Sequence, residues 1–213
     1  MTAAMEYIYE RMNMTHRIFK RTIDILGAIA GLAATAPLLP FVAFAIKMET
    51  AGSVIVKLPR VSMGKVVHVY KFRSMIKDAH KFKAGLVARN ERGDGPFFKM
   101  KNDPRLTAVG KILRKFRLDE FPQLINVLRG ELSLVGPRPH EPGEVIHYPD
   151  EHKHLLLAKS GVTGLSQVSG ASSLPFRKEL ELDSFYVKNQ SIWLDAKIIA
   201  KTASIIFTDP TAV

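Results

Sequence analysis

The sequence contains no cysteine, which excludes disulfide bonds, thiolate metal ligands and cysteine nucleophiles. Acidic residues are also few: 20 aspartates and glutamates stand against 31 lysines and arginines, so the formal net charge is +11. Such a charge favours an anionic partner, and nucleic acid, anionic lipid and phosphorylated substrates all qualify. The glycine-rich segments at residues 161–164 and 169–170 lack the spacing of a P-loop or a dinucleotide-binding fingerprint. Charge alone does not choose among these partners.

A long segment without charge stands near the start of the chain, at residues 25–46. Its length is close to the roughly 20 apolar residues that cross a bilayer. Pro37 and Pro40 interrupt it, and because proline removes a helix donor and clashes with the preceding turn, we expect a bend near Pro37. Two topologies stay open from this pattern: a straight helix that spans the membrane, and a bent hairpin that returns to the face it entered.

The charges on either side of this segment bear on that choice. Cytoplasmic flanks of membrane helices are enriched in lysine and arginine, so a spanning helix usually shows an asymmetry. Here both flanks are basic. Each arm around Pro37 is also well short of a roughly 30 Å hydrocarbon core at about 1.5 Å per residue. The flanking cations are Arg17, Lys20 and Arg21 before the segment, and Lys47, Lys57 and Arg60 after it.

The rest of the chain alternates between strand and helix signals. β-branched residues at 53–57 and 65–70, around Pro59 and Met63-Gly64, predict a β-hairpin. Helical spacing at 111–129 is interrupted by Pro122, and the segment 136–142 is a proline-rich loop. Further helices are predicted at residues 77–92, 180–186 and 192–207.

A tight acidic pair, Asp119 and Glu120, lies within a strongly basic stretch. Nearby cations keep a carboxylate ionised, and an ionised carboxylate can bind Mg²⁺ or attack phosphorus to form an acyl phosphate. The alternative is a solvated helix face with ordinary salt bridges. The surrounding cations are Lys111, Arg114, Lys115 and Arg117.

Two further segments are candidates for phosphate contact. Pro137 and Pro139 hold Arg138 on a stiff backbone, and arginine matches phosphate oxygens with two parallel hydrogen bonds. Lys71 and Arg73 close the predicted hairpin, where they would present two cations. A rigid turn with an exposed arginine, and a charged strand end, are the respective alternatives.

Taken in order, these segments resemble the monotopic phosphoglycosyl transferases, also called bacterial sugar transferases. The resemblance covers nearly everything from Lys20 onward. Each motif alone is a moderate signal, and their order makes the signal strong. The matching motifs are KFRSM at residues 71–75, NDPRLT at 102–107, VGKILR at 109–114, LDEFPQL at 118–124, NVLRG at 126–130, SLVGPRP at 133–139, GVTGL at 161–165, QVSG at 167–170 and SIWLD at 191–195.

The resemblance implies an α+β fold that is mostly helical. A re-entrant membrane helix would bend at Ala36-Pro37, followed by a small β-hairpin and by amphipathic interfacial helices around a compact catalytic domain. The implied division is an N-terminal lead at 1–20, the membrane-inserted helix at 21–48 and a cytoplasmic catalytic domain at 49–213. The expected location is the cytoplasmic face of a bacterial inner membrane, in contact with its lipids.

The resemblance also implies a reaction. A sugar-1-phosphate would pass from a UDP-sugar to a polyprenyl phosphate such as undecaprenyl phosphate, with Mg²⁺ as cofactor and UMP as the leaving product. Asp119 would be the nucleophile and Glu120 its partner at the metal site. The implied or candidate contacts to phosphate are Arg138 with its neighbours Pro137 and Pro139, then Arg105, Arg114, Lys71 and Arg73.

The chain departs from the family pattern at several places. Ala36 stands where the family usually has serine before the proline of the bend, and Thr35 is the nearest residue that offers a hydroxyl. Ala171, Ser166 and the pair at 58–59 also differ, which concerns the sugar and nucleotide contacts rather than the acidic pair.

Two other functions compete with this one. A basic membrane-anchored protein without catalysis, binding lipid or scaffolding an assembly, explains the charge and the apolar segment but not the ordered motifs. A nucleic-acid binder explains the charge alone, and no zinc-finger or RNP-like pattern is present, so no nucleic-acid partner is expected. Mg²⁺-dependent release of UMP from UDP-sugars is expected only of the enzyme.

Overall fold

The long apolar segment is helical in the computed structural model, which describes residues 14–170 and 173–208. Helix α1 (Met14–Thr35) is followed by a 3₁₀ turn (Ala36–Leu38) and by helix α2 (Leu39–Glu49). Within the described ranges, this is the one helical stretch long and apolar enough to cross a membrane. Phe41 and Phe44 on α2 are 74% and 68% exposed, so this arm offers apolar side chains to its surroundings rather than to a core.

The helix is interrupted where the prolines predict. Pro37 has no N–H for the carbonyl one turn before it, so the α-helical ladder stops and a 3₁₀ turn replaces it. The Thr35 hydroxyl donates to the carbonyl oxygen of Gly31 at 2.8 Å and thereby supplies a polar contact at the interruption. The re-entrant course of the segment stays a prediction, as do the domain boundaries at residues 20 and 48.

The predicted hairpin is confirmed and is longer than expected. Strands β1 (Ile55–Ser62) and β2 (Lys65–Phe72) pair antiparallel, with Ser62 opposite Lys65. Met63 and Gly64 both have positive φ, at 53° and 69°, as a two-residue type I′ turn requires. The Asn126 side chain bonds to the backbone of Tyr70 and His68, which fixes the end of β2 against the centre of the molecule.

The prediction of one helix at residues 77–92 is wrong. This charged segment forms a 3₁₀ turn (Ala79–Phe82), a short helix α3 (Lys83–Leu86) and another 3₁₀ turn (Val87–Arg89). None of these pieces contains a buried residue, so no tertiary packing stabilises a longer helix.

The segment at 111–129 forms two helices. The first helix ends several residues before Pro122, the position at which the sequence predicts the interruption. Helix α4 (Ala108–Lys115) ends before Arg117, whose φ of 54° reverses the chain direction. A 3₁₀ turn (Leu118–Glu120) then leads to helix α5 (Gln123–Leu128), with Pro122 at its start. The acidic pair therefore lies on a tight turn between helices.

A small parallel sheet, which the sequence did not predict, organises the second half of the chain. Strand β3 (Ser133–Val135) pairs with strand β4 (Gly161–Thr163), and a Cβ on Gly161 would lie 2.1 Å from the nitrogen of Gly136. Only glycine permits that approach. The other elements are helix α6 (Pro142–Val145), a 3₁₀ helix (Asp150–Leu157), helix α7 (Leu165–Val168) and the predicted helices α8 (Phe176–Lys188) and α9 (Ile192–Thr208).

Candidate active site

The turn that carries the acidic pair is positioned by helix α4. The Thr107 side chain accepts a hydrogen bond from Gly110 N at 2.9 Å and caps the start of this helix. Glu49, the last residue of α2, accepts from Val109 N at 2.9 Å and also from Ala108 N. The end of the apolar segment is therefore bonded directly to the helix that leads to Asp119.

Asp119 and Glu120 lie against the end of strand β2. Asp119 is only 6% exposed, and Glu120 is half-buried. The Lys71 ammonium donates to Glu120 Oε1 and lies 3.9 Å from Asp119 Oδ2. One lysine thus faces two adjacent carboxylates, which leaves the pair with a net negative charge.

The two carboxylates differ in their pKa. Burial raises the pKa of Asp119, and the charge of Glu120 raises it further against the opposing effect of Lys71. Burial also acts to raise the pKa of Glu120, but Lys71, Arg138 and Arg117 together bring it below its ordinary value. The two carboxylates are therefore shifted in opposite directions, and Asp119 is the one whose ionised form burial disfavours.

The five predicted cations fall into two groups. Lys71, Arg114 and Arg138 act electrostatically on the acidic pair, and Arg114 Nε also donates to Ser74 Oγ at 3.1 Å. Arg73 and Arg105 are buried and held by other partners.

Arg73 and Arg105 have structural contacts that occupy their guanidinium groups. Arg73 donates to the carbonyl oxygens of Thr50 at 2.7 Å and Ala51 at 2.6 Å, just after the end of α2. Arg105 forms a two-point ion pair with Asp103, with Nε–Oδ1 and Nη2–Oδ2 distances of 2.9 Å and 2.6 Å. Their predicted contacts to phosphate would require these bonds to be exchanged.

Arg138 is held by its backbone and not by its side chain. Its N–H donates to Asp183 Oδ2 at 3.1 Å, and three residues earlier the Val135 carbonyl accepts from the Tyr186 hydroxyl at 3.0 Å. In the described part of the chain, the guanidinium makes no hydrogen bond or ion pair, while its charge lowers the pKa of Glu120. Pro137 is buried and Pro139 half-buried beside it. Helix α8 thus fixes the loop and leaves the Arg138 charge available.

His140 follows Pro139 in the loop that carries Arg138, and its side chain is buried. Its ring stacks on Phe97 with centroids 4.4 Å apart, and Nδ1 is hydrogen-bonded to the Tyr148 hydroxyl. Burial and the nearby charges of Arg138, Arg60 and Arg92 lower the pKa of His140 well below its ordinary value. The imidazole is therefore neutral, and we assign it a packing role behind Arg138.

Sequence reasoning missed Asp183 and, for Arg117, named the charge but missed the backbone conformation. Asp183 carries no motif, but a carboxylate between the buried Leu180 and Tyr186 of an amphipathic helix is a signal that could have found it. Arg117 gave no such signal, because nothing in the sequence shows that a non-glycine residue takes a left-handed conformation.

Residues 15–209 match the family described as bacterial sugar transferase. This chain belongs to the bacterial sugar transferase family. The sequence resemblance that predicted this family is therefore confirmed, and the motifs that carry it lie on the turn, strand and loop described above.

Curated relatives of this sugar transferase act on undecaprenyl phosphate, to judge from their names. It is 41% identical over 194 residues to the undecaprenyl-phosphate galactose phosphotransferase of Salmonella typhimurium, covering 89% of this chain and 40% of that protein. It is 40% identical over 195 residues to the undecaprenyl-phosphate glucose phosphotransferase of Komagataeibacter xylinus, covering 86% of this chain and 35% of that protein. The chain thus spans about two fifths of the length of such relatives.

A shorter relative matches over most of its own length. The exopolysaccharide production protein ExoY of Sinorhizobium fredii is 37% identical over 191 residues, which cover 87% of this chain and 84% of that protein. The shared region therefore contains the acidic turn, the hairpin and the Arg138 loop.

Proposed function

We propose that this sugar transferase moves a sugar-1-phosphate from a UDP-sugar to a membrane polyprenyl phosphate, with a phosphosugar carried covalently by Asp119. The observation that supports this most is the pair of buried Asp119 and half-buried Glu120, held by Lys71 and acted on by Arg138, whose guanidinium has no partner among the described residues. Phosphoryl transfer needs little more than positioning and charge neutralisation, and this arrangement supplies both.

In the first step, a carboxylate oxygen of Asp119 attacks the β-phosphorus of the UDP-sugar. A new phosphorus–oxygen bond forms, and the bond from that phosphorus to the bridging oxygen breaks, so that UMP leaves with the bonding electrons. Asp119 must be ionised for this attack, and Lys71 and Arg114 favour that state. Arg138 would bind the donor phosphates through its planar guanidinium.

In the second step, a phosphate oxygen of the polyprenyl phosphate attacks the same phosphorus. The bond to the Asp119 oxygen breaks, which restores the carboxylate and yields a polyprenyl diphosphate sugar. The electron pair returns to Asp119, so the enzyme is unchanged after one cycle.

Mg²⁺ fits this site, although no group of three or more potential metal ligands occurs among the described residues. Mg²⁺ commonly binds through one or two carboxylates together with substrate phosphates, and Asp119 and Glu120 would be those carboxylates. When bound, the ion would neutralise the developing charge on the phosphate oxygens. The geometry supports this assignment, since Lys71 is the one cation that the structure places within ion-pair distance of the two carboxylates among the described residues.

The location follows from the acceptor. Polyprenyl phosphate resides in the membrane, and helices α1 and α2 present an apolar surface beside the site. We propose that both arms lie in the cytoplasmic leaflet of the inner membrane, with the acidic turn at the cytoplasmic surface. Exopolysaccharide or lipopolysaccharide synthesis is the kind of pathway that uses such a product.

The decisive experiment compares Asp119→Asn with wild type on a panel of UDP-sugars in detergent. Wild type should release UMP only with Mg²⁺ and should gain a phosphosugar mass on the peptide that contains Asp119. The Asn variant should do neither, because a neutral amide is a poor nucleophile. Asp150→Asn is the control, since the Asp150 side chain is 92% exposed.

Near-normal turnover in Asp119→Asn would refute the covalent step. Absence of UMP release from every UDP-sugar by the wild type would instead favour the membrane-anchored scaffold. No observation of the site supports that second function, because a scaffold has no need of a buried acidic pair.

A further inference from the structure

A cavity lies beside the first turns of helix α1, and no residue of the acidic turn is among its described lining residues. It encloses about 490 Å³ between α1, the hairpin turn at Met63, the start of the Arg138 loop and the end of helix α8. Much of its wall is apolar and comes from separate parts of the chain: Met14, Ile18, Met63, Leu157 and Val187.

The charges of this cavity are mostly positive. Four cations line it, and Asp24 is the one carboxylate among the described lining residues. Asp24 is already engaged, since it lies 3.0 Å from Lys20 and accepts from Ser133 Oγ at 2.8 Å. Lys20 is also paired with Asp195 at 2.9 Å, so these groups compensate one another. The cations are Arg17, Lys20, Arg21 and Lys159.

Arg21 and Lys159 are not compensated in that way. Arg21 donates to the neutral carbonyl oxygens of Val127 and Leu128, at 2.6 Å and 2.7 Å. Lys159 is half-buried, and among the described residues its ammonium has electrostatic attraction from Asp24 but no hydrogen bond or salt bridge. Burial, together with the charge of Arg21, lowers the pKa of Lys159. A half-buried ammonium beside other cations is a favourable place for an anion.

The expected position of the cavity relative to the membrane surface favours one kind of anion. Arg21 precedes the uncharged segment, which begins at residue 25, by about one helical turn. If α1 enters the bilayer there, the cations of the cavity lie at the level of the lipid headgroups, just outside the hydrocarbon. A ligand at that level has a phosphate for Lys159 and an apolar body for the wall at Ile18 and Leu157.

We propose that this cavity binds the headgroup of one anionic phospholipid of the bilayer, with its phosphate at Lys159 and Arg21. The site is separate from the acidic turn and takes no part in the chemistry proposed above. It rests on the proposed entry of α1 into the bilayer, but not on the transferase reaction, because lipid retention is measured without substrate.

The test measures lipids that stay bound to the full chain. Protein is reconstituted in nanodiscs that contain equal amounts of phosphatidylglycerol and phosphatidylcholine, released into detergent and analysed by native mass spectrometry. One phosphatidylglycerol per chain should be retained in preference to phosphatidylcholine. Lys159→Gln should lower that retention roughly fivefold, the effect of one lysine at an anionic membrane surface.

The control is Lys153→Gln, which removes an equal charge from an exposed lysine paired with Asp150 at 2.6 Å. It should retain lipid as wild type does. Because the Lys159 ammonium has no bonded partner in the described chain, Lys159→Gln should fold normally, and its thermal unfolding verifies this.

Four results would overturn the proposal. One is equal retention of the two phospholipids, and another is equal retention by the two glutamine variants. The third is lipid binding that appears only after removal of residues 2–13, because the occupant would then be the chain itself. Preferential retention of polyprenyl phosphate over phosphatidylglycerol would likewise refute the choice of a bulk phospholipid.

Discussion

The charge of Lys71 has a large effect on the pKa of both carboxylates of the acidic turn. Lys71 bonds to Glu120 and lies near Asp119, and its charge lowers the pKa of both carboxylates. Burial acts in the opposite direction and dominates at Asp119, whose pKa is raised. The ionised form of Asp119, which the proposed attack requires, is therefore sensitive to this one lysine.

The pH dependence of covalent labelling should show that sensitivity. As pH falls through the Asp119 pKa, the carboxylate is protonated and adduct formation stops. Since that pKa is raised, the loss should occur above the ordinary aspartate value of about 3.9. Lys71→Met removes a charge that lowers the pKa, so the acid limb should move to higher pH. Adduct formation followed by mass spectrometry across pH measures both limbs.

The matched control for this shift is Lys81→Met, an exposed lysine near Asp78. Its acid limb should coincide with that of wild type. An unchanged limb in Lys71→Met would show that Lys71 does not set the ionisation of Asp119.

A substitution of Arg138 can show whether the planar shape of its guanidinium matters for phosphate binding as well as its charge. The Arg138 guanidinium has no hydrogen-bond partner in the described chain, so a bound phosphate would be its first. Arg138→Lys keeps the charge but loses the planar fork, and donor-dependent UMP release should fall roughly tenfold or more. Arg177→Lys, at an exposed position of α8, is the control and should leave the rate unchanged. Full activity in Arg138→Lys would limit Arg138 to a general positive charge.

Helix α4 depends on a close approach that a glycine makes possible. A Cβ on Gly110 would lie 1.9 Å from the carbonyl oxygen of Ser74, a backbone atom that cannot rotate away. This contact brings the helix before the acidic turn against the residues that follow β2. The spacing between Lys71 and Asp119 rests on it.

Two glycine substitutions should therefore have opposite signs. In a helix, Gly→Ala normally stabilises by about 0.5–1 kcal/mol, and Gly85→Ala should do so because nothing lies within 4 Å of its Cβ. Gly110→Ala should destabilise by about 1–3 kcal/mol, the usual cost of overpacking. Thermal unfolding in detergent, followed by circular dichroism, measures both. Equal effects of the two variants would contradict the close contact.

The elements that the sequence predicted are those with local causes. The hairpin follows from β-branched residues and a Met63-Gly64 turn, the helix interruption from Pro37, and helices α8 and α9 from their spacing. The elements that it missed depend on distant partners. Strand β3 exists because it pairs with β4, which lies much further along the chain.

The site shows the same division. The Asp119–Glu120 pair and Arg138 could be picked out because their motifs are short and ordered. The left-handed conformation of Arg117 and the hydrogen bond from Arg138 N to Asp183 could not be predicted, because each depends on tertiary packing. Arg73 likewise differs from Lys71, although the two are only two positions apart. Arg73 donates to the carbonyl oxygens just after α2, which the sequence does not show.

Both ends of the apolar segment are bonded to elements that carry the site. At its start, Asp24 accepts from Leu134 N at 3.0 Å, which fixes the strand before Arg138. At its end, Glu49 caps the helix before Asp119. The position proposed for α1 and α2 in the membrane would therefore set the position of both the acidic turn and the Arg138 loop relative to the membrane surface.

We expect this arrangement to keep both ends of the segment on one side of the membrane, and a labelling experiment can test it. The chain has no native cysteine, so Thr15→Cys before the segment and Ser53→Cys after it each provide a single thiol at an exposed position. A membrane-impermeant thiol reagent should label neither variant in intact cells and both after the cells are opened. A spanning helix would place the two thiols on opposite faces, and one variant would then react in intact cells. Since Asp24 and Glu49 bond to one continuous domain, we expect the hairpin course and protection of both thiols.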